Sequence, residues 1–230
     1  FELQYQGNSV EKPDVAFSAW AYFYLYQNDL AMGYTYNRNT GARVFKPYSV
    51  NGNSIFQAGL DYATPLDKHK LLTLDTKTRF SATRSVDLMS VVTTDDYAMA
   101  TMPDRSIVHN NYVSEDLKLE YKFPWLRLGL NGYVLFNRAS SDRAGFDPQR
   151  VWDFHYGPTA KATLPWQVEL STDLSIYSRR GYDDSGANTN DVVWNARLSK
   201  SVPKLGLTFI VDGFDMLHQL SNRSVTMNAQ

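Results

Sequence analysis

The sequence contains no cysteine. That excludes a disulfide framework, a thiolate metal site and a cysteine nucleophile. It has no surplus of one charge: 23 Lys and Arg stand against 24 Asp and Glu. A near-neutral chain gives no electrostatic case for nucleic acid as a partner. No stretch approaches the roughly 20 apolar residues of a membrane-spanning helix, and the mean hydropathy is −0.40. Hydropathy is blind to membrane barrels, however, because their strands are only half apolar. Phe1-Glu2-Leu3-Gln4-Tyr5 already alternates like a strand, so no signal peptide is expected in these residues. His69, His109, His155 and His218 are scattered without ligand spacing. Glu169 and Asp173 share a strand face, but about 13 Å apart by strand rise. That is too far for the paired acids of a glycosidase. No catalytic residue, no metal and no cofactor is expected.

What the sequence has is alternation. Val168, Leu170, Thr172, Leu174 and Ile176 take one parity; Gln167, Glu169, Ser171, Asp173 and Ser175 take the other. A period of two marks a strand, since successive side chains leave a pleated backbone on opposite faces. This strand follows the corner Leu164-Pro165-Trp166 and leads into a polar loop at 179–190. The rest of the chain repeats the unit. Strands are expected at 1–6, 16–36, 43–64, 71–88, 105–122, 126–137, 148–163, 168–178, 192–201 and 207–212. Trp20, Tyr22, Tyr24, Tyr26, Leu30, Met32, Tyr34 and Tyr36 share one parity in the second. Asn39-Thr40-Gly41 signals a hairpin. The return strand is expected to bend at Pro47 or at Asn51-Gly52-Asn53, and one helical turn is expected within 214–220. About ten strands and no long helix result.

Connections alternate in length. Those at 65–70, 123–125, 164–166 and 202–205 are short; those at 89–104, 139–147 and 179–190 are long and polar. An antiparallel up-and-down meander puts all short turns at one end, as in outer-membrane barrels. A soluble sandwich shows the same alternation, so periodicity alone leaves both open. Strand length favours the barrel: soluble strands run about 5–6 residues, and crossing a bilayer at a tilt takes about 9–11. The expected fold is all-β, an antiparallel up-and-down meander forming part of a transmembrane β-barrel. Residues 1–230 form a single segment of it. Trp125, Trp166 and Tyr177 sit at strand ends, where membrane-interface aromatics belong. Asp75, Lys77, Arg79, Lys118, Glu120, Arg127, Asn131, Asp153, Lys161, Glu169, Asp173, Asn195 and Arg197 oppose the apolar parity and are candidate lumen-lining residues. Asp95, Asp96, Tyr97, Arg179, Arg180, Tyr182, Asp183 and Asp184 are candidate outer-loop contacts. The oxygen-rich run Asp183 to Asp191 lacks EF-hand spacing and its distal Glu, so it reads as a solvated loop.

Several pieces are familiar. They are Asn28 to Tyr36, Phe45-Lys46-Pro47, Asn51-Gly52-Asn53, Leu170 to Leu174, Tyr177 to Tyr182, Val193 to Ser201, and Asp212 to Leu217, followed by Leu220-Ser221-Asn222 and Asn228-Ala229-Gln230. In these the chain resembles the C-terminal barrel of TonB-dependent outer-membrane receptors, in the SusC-related outer membrane β-barrel family of Gram-negative anaerobes. The resemblance implies a barrel of about 22 strands, an N-terminal plug, and location in the outer membrane of a Gram-negative cell. It implies import of a nutrient powered by the TonB energy-coupling system through the plug. The implied partners are outer-membrane lipid, the rest of its own barrel and plug, and a surface lipoprotein. The plug and a final closing strand ending in an aromatic are absent from the pattern. Both ends therefore read as cut from something longer. Two alternatives stay open: a non-transporting structural or adhesive barrel whose outer loops bind a partner, and a soluble β-sandwich binding module.

Overall fold

A computed structural model describes residues 2–8, 15–93 and 103–220. These residues form twelve strands: β1 (Glu2–Asn8), β2 (Ala16–Tyr26), β3 (Asp29–Asn37), β4 (Arg43–Val50), β5 (Asn53–Pro65), β6 (Leu72–Val92), β7 (Arg105–Lys122), β8 (Leu126–Ser141), β9 (Gln149–Leu164), β10 (Val168–Arg180), β11 (Asn190–Val202) and β12 (Leu207–Gly213). Ten run in one path, β1-β2-β5-β6-β7-β8-β9-β10-β11-β12, and every pairing along it is antiparallel. The all-β up-and-down architecture is the one the alternation predicts. The sheet is not closed among the described residues, and β1 and β12 each pair on one side only.

Two expected strands are in fact each two. The alternation at 16–36 breaks at Asn28, whose backbone takes a left-handed φ of 52°. The return breaks opposite it at Gly52, where φ is 98°. An Asn and a Gly tolerate that region better than other residues. The Asn51 side chain ties the two breaks by accepting from the Asn28 N–H at 2.6 Å. Between them β3 and β4 form a separate hairpin, closed by the expected turn: Gly41 has φ 72°, and its N–H donates to the Asn37 carbonyl at 2.8 Å. Pro47 lies in β4, which pairs only with β3. An edge strand is where a residue without an N–H costs least. The hairpin docks through β3, which runs parallel to the far end of β6 at Tyr34↔Met89 to Asn37↔Val92.

A proline also sits mid-sheet. Pro158 in β9 faces Leu130 of β8, but the β9–β10 register skips from Thr159↔Asp173 to Tyr156↔Ile176. The missing N–H removes a ladder bond. Gly157 makes the resulting close approach possible: a Cβ there would lie 1.7 Å from the Leu174 carbonyl oxygen. At the tail, Phe214 to Leu220 forms no helix. Asp215 caps a turn, its carboxylate accepting from the Gln219 and Leu220 N–H groups, both at 3.1 Å.

The short connections lie at one end, at 66–71, 123–125, 165–167 and 203–206. The long ones at 27–52, 142–148 and 181–189 lie at the other, with the strand ends Val92 and Arg105. These are the turn end and the loop end below.

Candidate functional site

Cross-strand partners share a face, so the register sorts every strand residue. Following the pairs from Asp75 gives Asp75↔Lys118↔Asn131↔Gly157. The same ladder carries Lys77, Arg79, Glu120, Arg127, Asp153, Lys161, Glu169, Asp173, Asn195 and Arg197 onto that face. All thirteen candidate lumen residues therefore share one polar face spanning β6 to β11. Asp75, Lys77, Asp116, Lys118, Asn131 and His155 border one open groove on it. Lys118, Glu120, Arg127, Lys161 and Asp173 border another.

The polar face is internally charge-matched. Arg79 pairs with Asp61 at 2.5 Å and lies over the Trp20 ring at 5.6 Å. Glu120 sits between Lys118 at 3.3 Å and Lys122 at 3.5 Å. Arg197 grips Asp212 through Nε at 2.5 Å and a terminal nitrogen at 3.1 Å. Asn195 donates to Asp173 at 2.9 Å. Alternating signs on neighbouring strands keep the face hydrated without a large net field.

This face also holds aromatics that sequence parity did not assign to it. Trp20, Tyr22 and Tyr24 form a ladder up β2, with centroid separations of 5.4 and 5.2 Å. Their register partners Gly59, Gln57 and Ile55 place them on the polar side, and Tyr22 bonds Gln57. Phe17, Phe23 and Leu25 take the opposite face. The signal was present in the residue types: the hydroxyl-bearing aromatics hold one parity and the bare hydrocarbons the other. Tyr177 is a correction. It pairs with His155 and lies tilted against it at 5.5 Å, while Tyr133 stacks on the same imidazole at 4.8 Å. It belongs to the polar face, not to an aromatic row on the apolar one. Trp125 and Trp166 do sit at the turn end, 59% and 83% exposed.

The apolar face carries Phe56, Leu60, Phe80, Val113, Leu117, Leu128, Leu130, Phe136, Trp152, Tyr156, Leu170, Trp194, Leu198, Phe209 and Val211. Most are more than a third exposed, and no second layer covers them among the described residues. The exception is at the loop end of β6. There Val86 and Leu88 are buried against Val50, Ala31 and Tyr48 of the β3–β4 hairpin. The protein covers this face past Arg84 and leaves it bare below.

Of the candidate loop contacts, Asp95, Asp96 and Tyr97 lie outside the described residues. The 181–189 loop leans over the polar face, where the Tyr182 hydroxyl donates to both Asp153 oxygens at 3.1 and 3.0 Å. Burial and that carboxylate push the Tyr182 phenol up to about 12. Asp184 accepts from the Gly186 N–H, Asp183 from Gln149, and Asn188 bridges Tyr182 both ways. The loop's oxygens thus serve the loop itself and the neighbouring β9. No group of three or more metal-ligating side chains occurs among the described residues. Arg180 donates to the Thr189 carbonyl and to Asn190.

No protein-family model, curated protein or solved structure matches the chain.

Proposed function

We propose that this chain is a membrane-spanning portion of an outer-membrane β-barrel of the TonB-dependent receptor type, importing a nutrient through a polar lumen. The carrying observation is the bare apolar face. On β8 its uncovered run from Leu126 to Phe136 covers ten residue steps, about 33 Å along the strand. At a tilt of about 40° that is about 25 Å, the height of the apolar band on a membrane barrel. Soluble monomers rarely leave a contiguous apolar surface of this extent to water. A barrel wall needs it. The opposite face would line the lumen, with its matched charges and the Trp20–Tyr24 ladder along the path. The receptor assignment rests on the sequence resemblance described above.

Alkaline carbonate washing of membranes tests the first part. The full-length protein should stay in the pellet and migrate faster on an SDS gel before boiling than after. Recovery in the soluble fraction without detergent would overturn the proposal and favour the sandwich. Transport is tested by uptake of labelled glycans, peptides and metal chelates with and without a protonophore. Uptake should be lost on gene disruption and on de-energisation. Uptake unchanged by either would leave the adhesive reading. That second reading has its own support in the loop end, which is built as a firm platform: the hairpin packs on β6, and Arg143 bonds Asp87 across from the 142–148 loop.

A further inference from the structure

Charge on the apolar face is one-sided and, apart from Lys200 at the turn end and Glu115, gathers at the loop end. Arg84, Arg105, Arg138, Arg150 and Arg180 all fall on it, each at the loop end of its strand. Among the described strand residues the face carries one carboxylate, Glu115, which lies lower and accepts from the Thr78 hydroxyl at 2.5 Å. Arg138 and Arg150 stand directly opposite each other on β8 and β9. Side chains so placed have Cβ atoms about 5 Å apart, and like charges there repel. Neither has a hydrogen bond or ion pair among the described residues, and both are exposed. Nearby carboxylates are engaged elsewhere: Asp142 accepts from the Ile107 N–H at 2.6 Å, Asp183 from Gln149 and Asp184 from Gly186. Arg180 adds a third cation on the diagonal, opposite Trp152. One row below the pair, Phe136 and Trp152 face each other with ring centroids 4.5 Å apart, and Phe154 stacks on Trp152 at 5.9 Å. The row is also a boundary, since at Arg84, which donates to the Gly52 carbonyl, the hairpin's cover begins.

We infer that Arg138 and Arg150, with Arg180 beside them, bind the phosphate headgroup of a phosphorylated lipid in the leaflet at the loop end. This rests on the membrane reading proposed above. Two guanidinium forks suit phosphate oxygens, which they bind in pairs of parallel bonds. The aromatic rows beneath suit the top of the acyl chains, where ring side chains concentrate at a membrane boundary. Such a headgroup supplies the counter-charge that the described residues do not. An anion from the aqueous side would not need the apolar stack under it.

The test is lipid selectivity. The full-length protein is reconstituted in phosphatidylcholine vesicles containing a trace of spin-labelled phosphatidic acid or spin-labelled phosphatidylcholine, and the motionally restricted fraction is read by electron spin resonance. Phosphatidic acid should be preferred. The preference at this site should fall roughly fivefold per arginine removed in R138Q/R150Q. It should be weakened but not lost in R138K/R150K, which keeps the charge without the fork and reports on folding, and unchanged in K200Q, at the turn end of the same face. A preference absent from the native protein, or unchanged in R138Q/R150Q, would overturn the inference while leaving the barrel standing. Loss of preference on adding millimolar inorganic phosphate would also overturn it, in favour of an aqueous anion. Failure of the native protein to enter vesicles would overturn the membrane reading, and this inference with it.

Discussion

Placing an arginine at Leu130 separates lipid from water on the apolar face. Leu130 is 49% exposed and lies opposite Leu119 and Pro158. It is four residues from Leu126 and six from Phe136, about 13 and 20 Å along the strand. A tilt of about 40° leaves it near the middle of the band. In a bilayer, Leu130→Arg should cost about 2–4 kcal/mol, as a midplane arginine does on a barrel's lipid face. That is a roughly 30-fold to 900-fold loss in the folding equilibrium. Ser140→Arg, on the same face of the same strand but past the arginine row, should cost about 0–1 kcal/mol. If water bathes the face, both changes should fall within about 0.5 kcal/mol of neutral. The assay is equilibrium urea unfolding from phosphatidylcholine vesicles, followed by tryptophan fluorescence. Equal costs at the two positions would refute the reasoning, because depth is what the membrane adds.

Gly157→Ala should destabilise by about 1–3 kcal/mol or more, since the new methyl meets backbone that cannot yield; Gly132→Ala, with nothing within 4 Å of its Cβ, should be near neutral in the same unfolding assay. Arg143 and Asp87 are 17% and 14% exposed, and losing either partner should cost about 1–3 kcal/mol and expose the 142–148 loop to limited proteolysis. A double-mutant cycle returning no coupling would count against that pair as the loop's anchor. Tyr182 is set against pH: its unfolded phenol titrates near 10 and its folded one at about 12. Its contribution to stability is therefore complete below about pH 10 and is lost as pH rises towards 12. The 295 nm difference titration between native protein and Tyr182→Phe should show that late phenol, and Asp153→Asn should bring it back towards 10.

Most of the sheet was legible because parity is a local property and the register kept it. Ten runs were expected, and ten strands follow the main path. All thirteen polar positions fell on one face for the same reason. What was not legible depended on partners. The run at 16–36 resumes the same parity after Asn28, and only the coupled breaks at Asn28 and Gly52, bonded through Asn51, turn its second half into a separate hairpin. Nothing local marks 89–92 as strand; it is strand because β3 pairs there in parallel. Tyr177 was misplaced because position along a strand was read without its face. The arginine row was readable, one residue at a time, as the point where each apolar run stops, but its meaning needs Arg138 to meet Arg150.

The distribution of burial carries the last step. In a soluble sheet the apolar parity is the buried one. Here the apolar face keeps its large side chains exposed, while small apolar residues are buried on the polar face: Val108, Ala139, Val151 and Val193. Three of the four lie towards the loop end, where Gly181 touches the backbone of Arg150 and Val151 and Tyr182 reaches Asp153. The two caps at that end thus cover opposite faces, the hairpin the apolar one and the 181–189 loop the polar one. The hairpin stops at the arginine row, while Tyr182 reaches past it to Asp153, opposite Leu135. Over the part of the apolar face that the hairpin does not reach, most of the large side chains stay exposed, which is the distribution the proposed membrane reading requires.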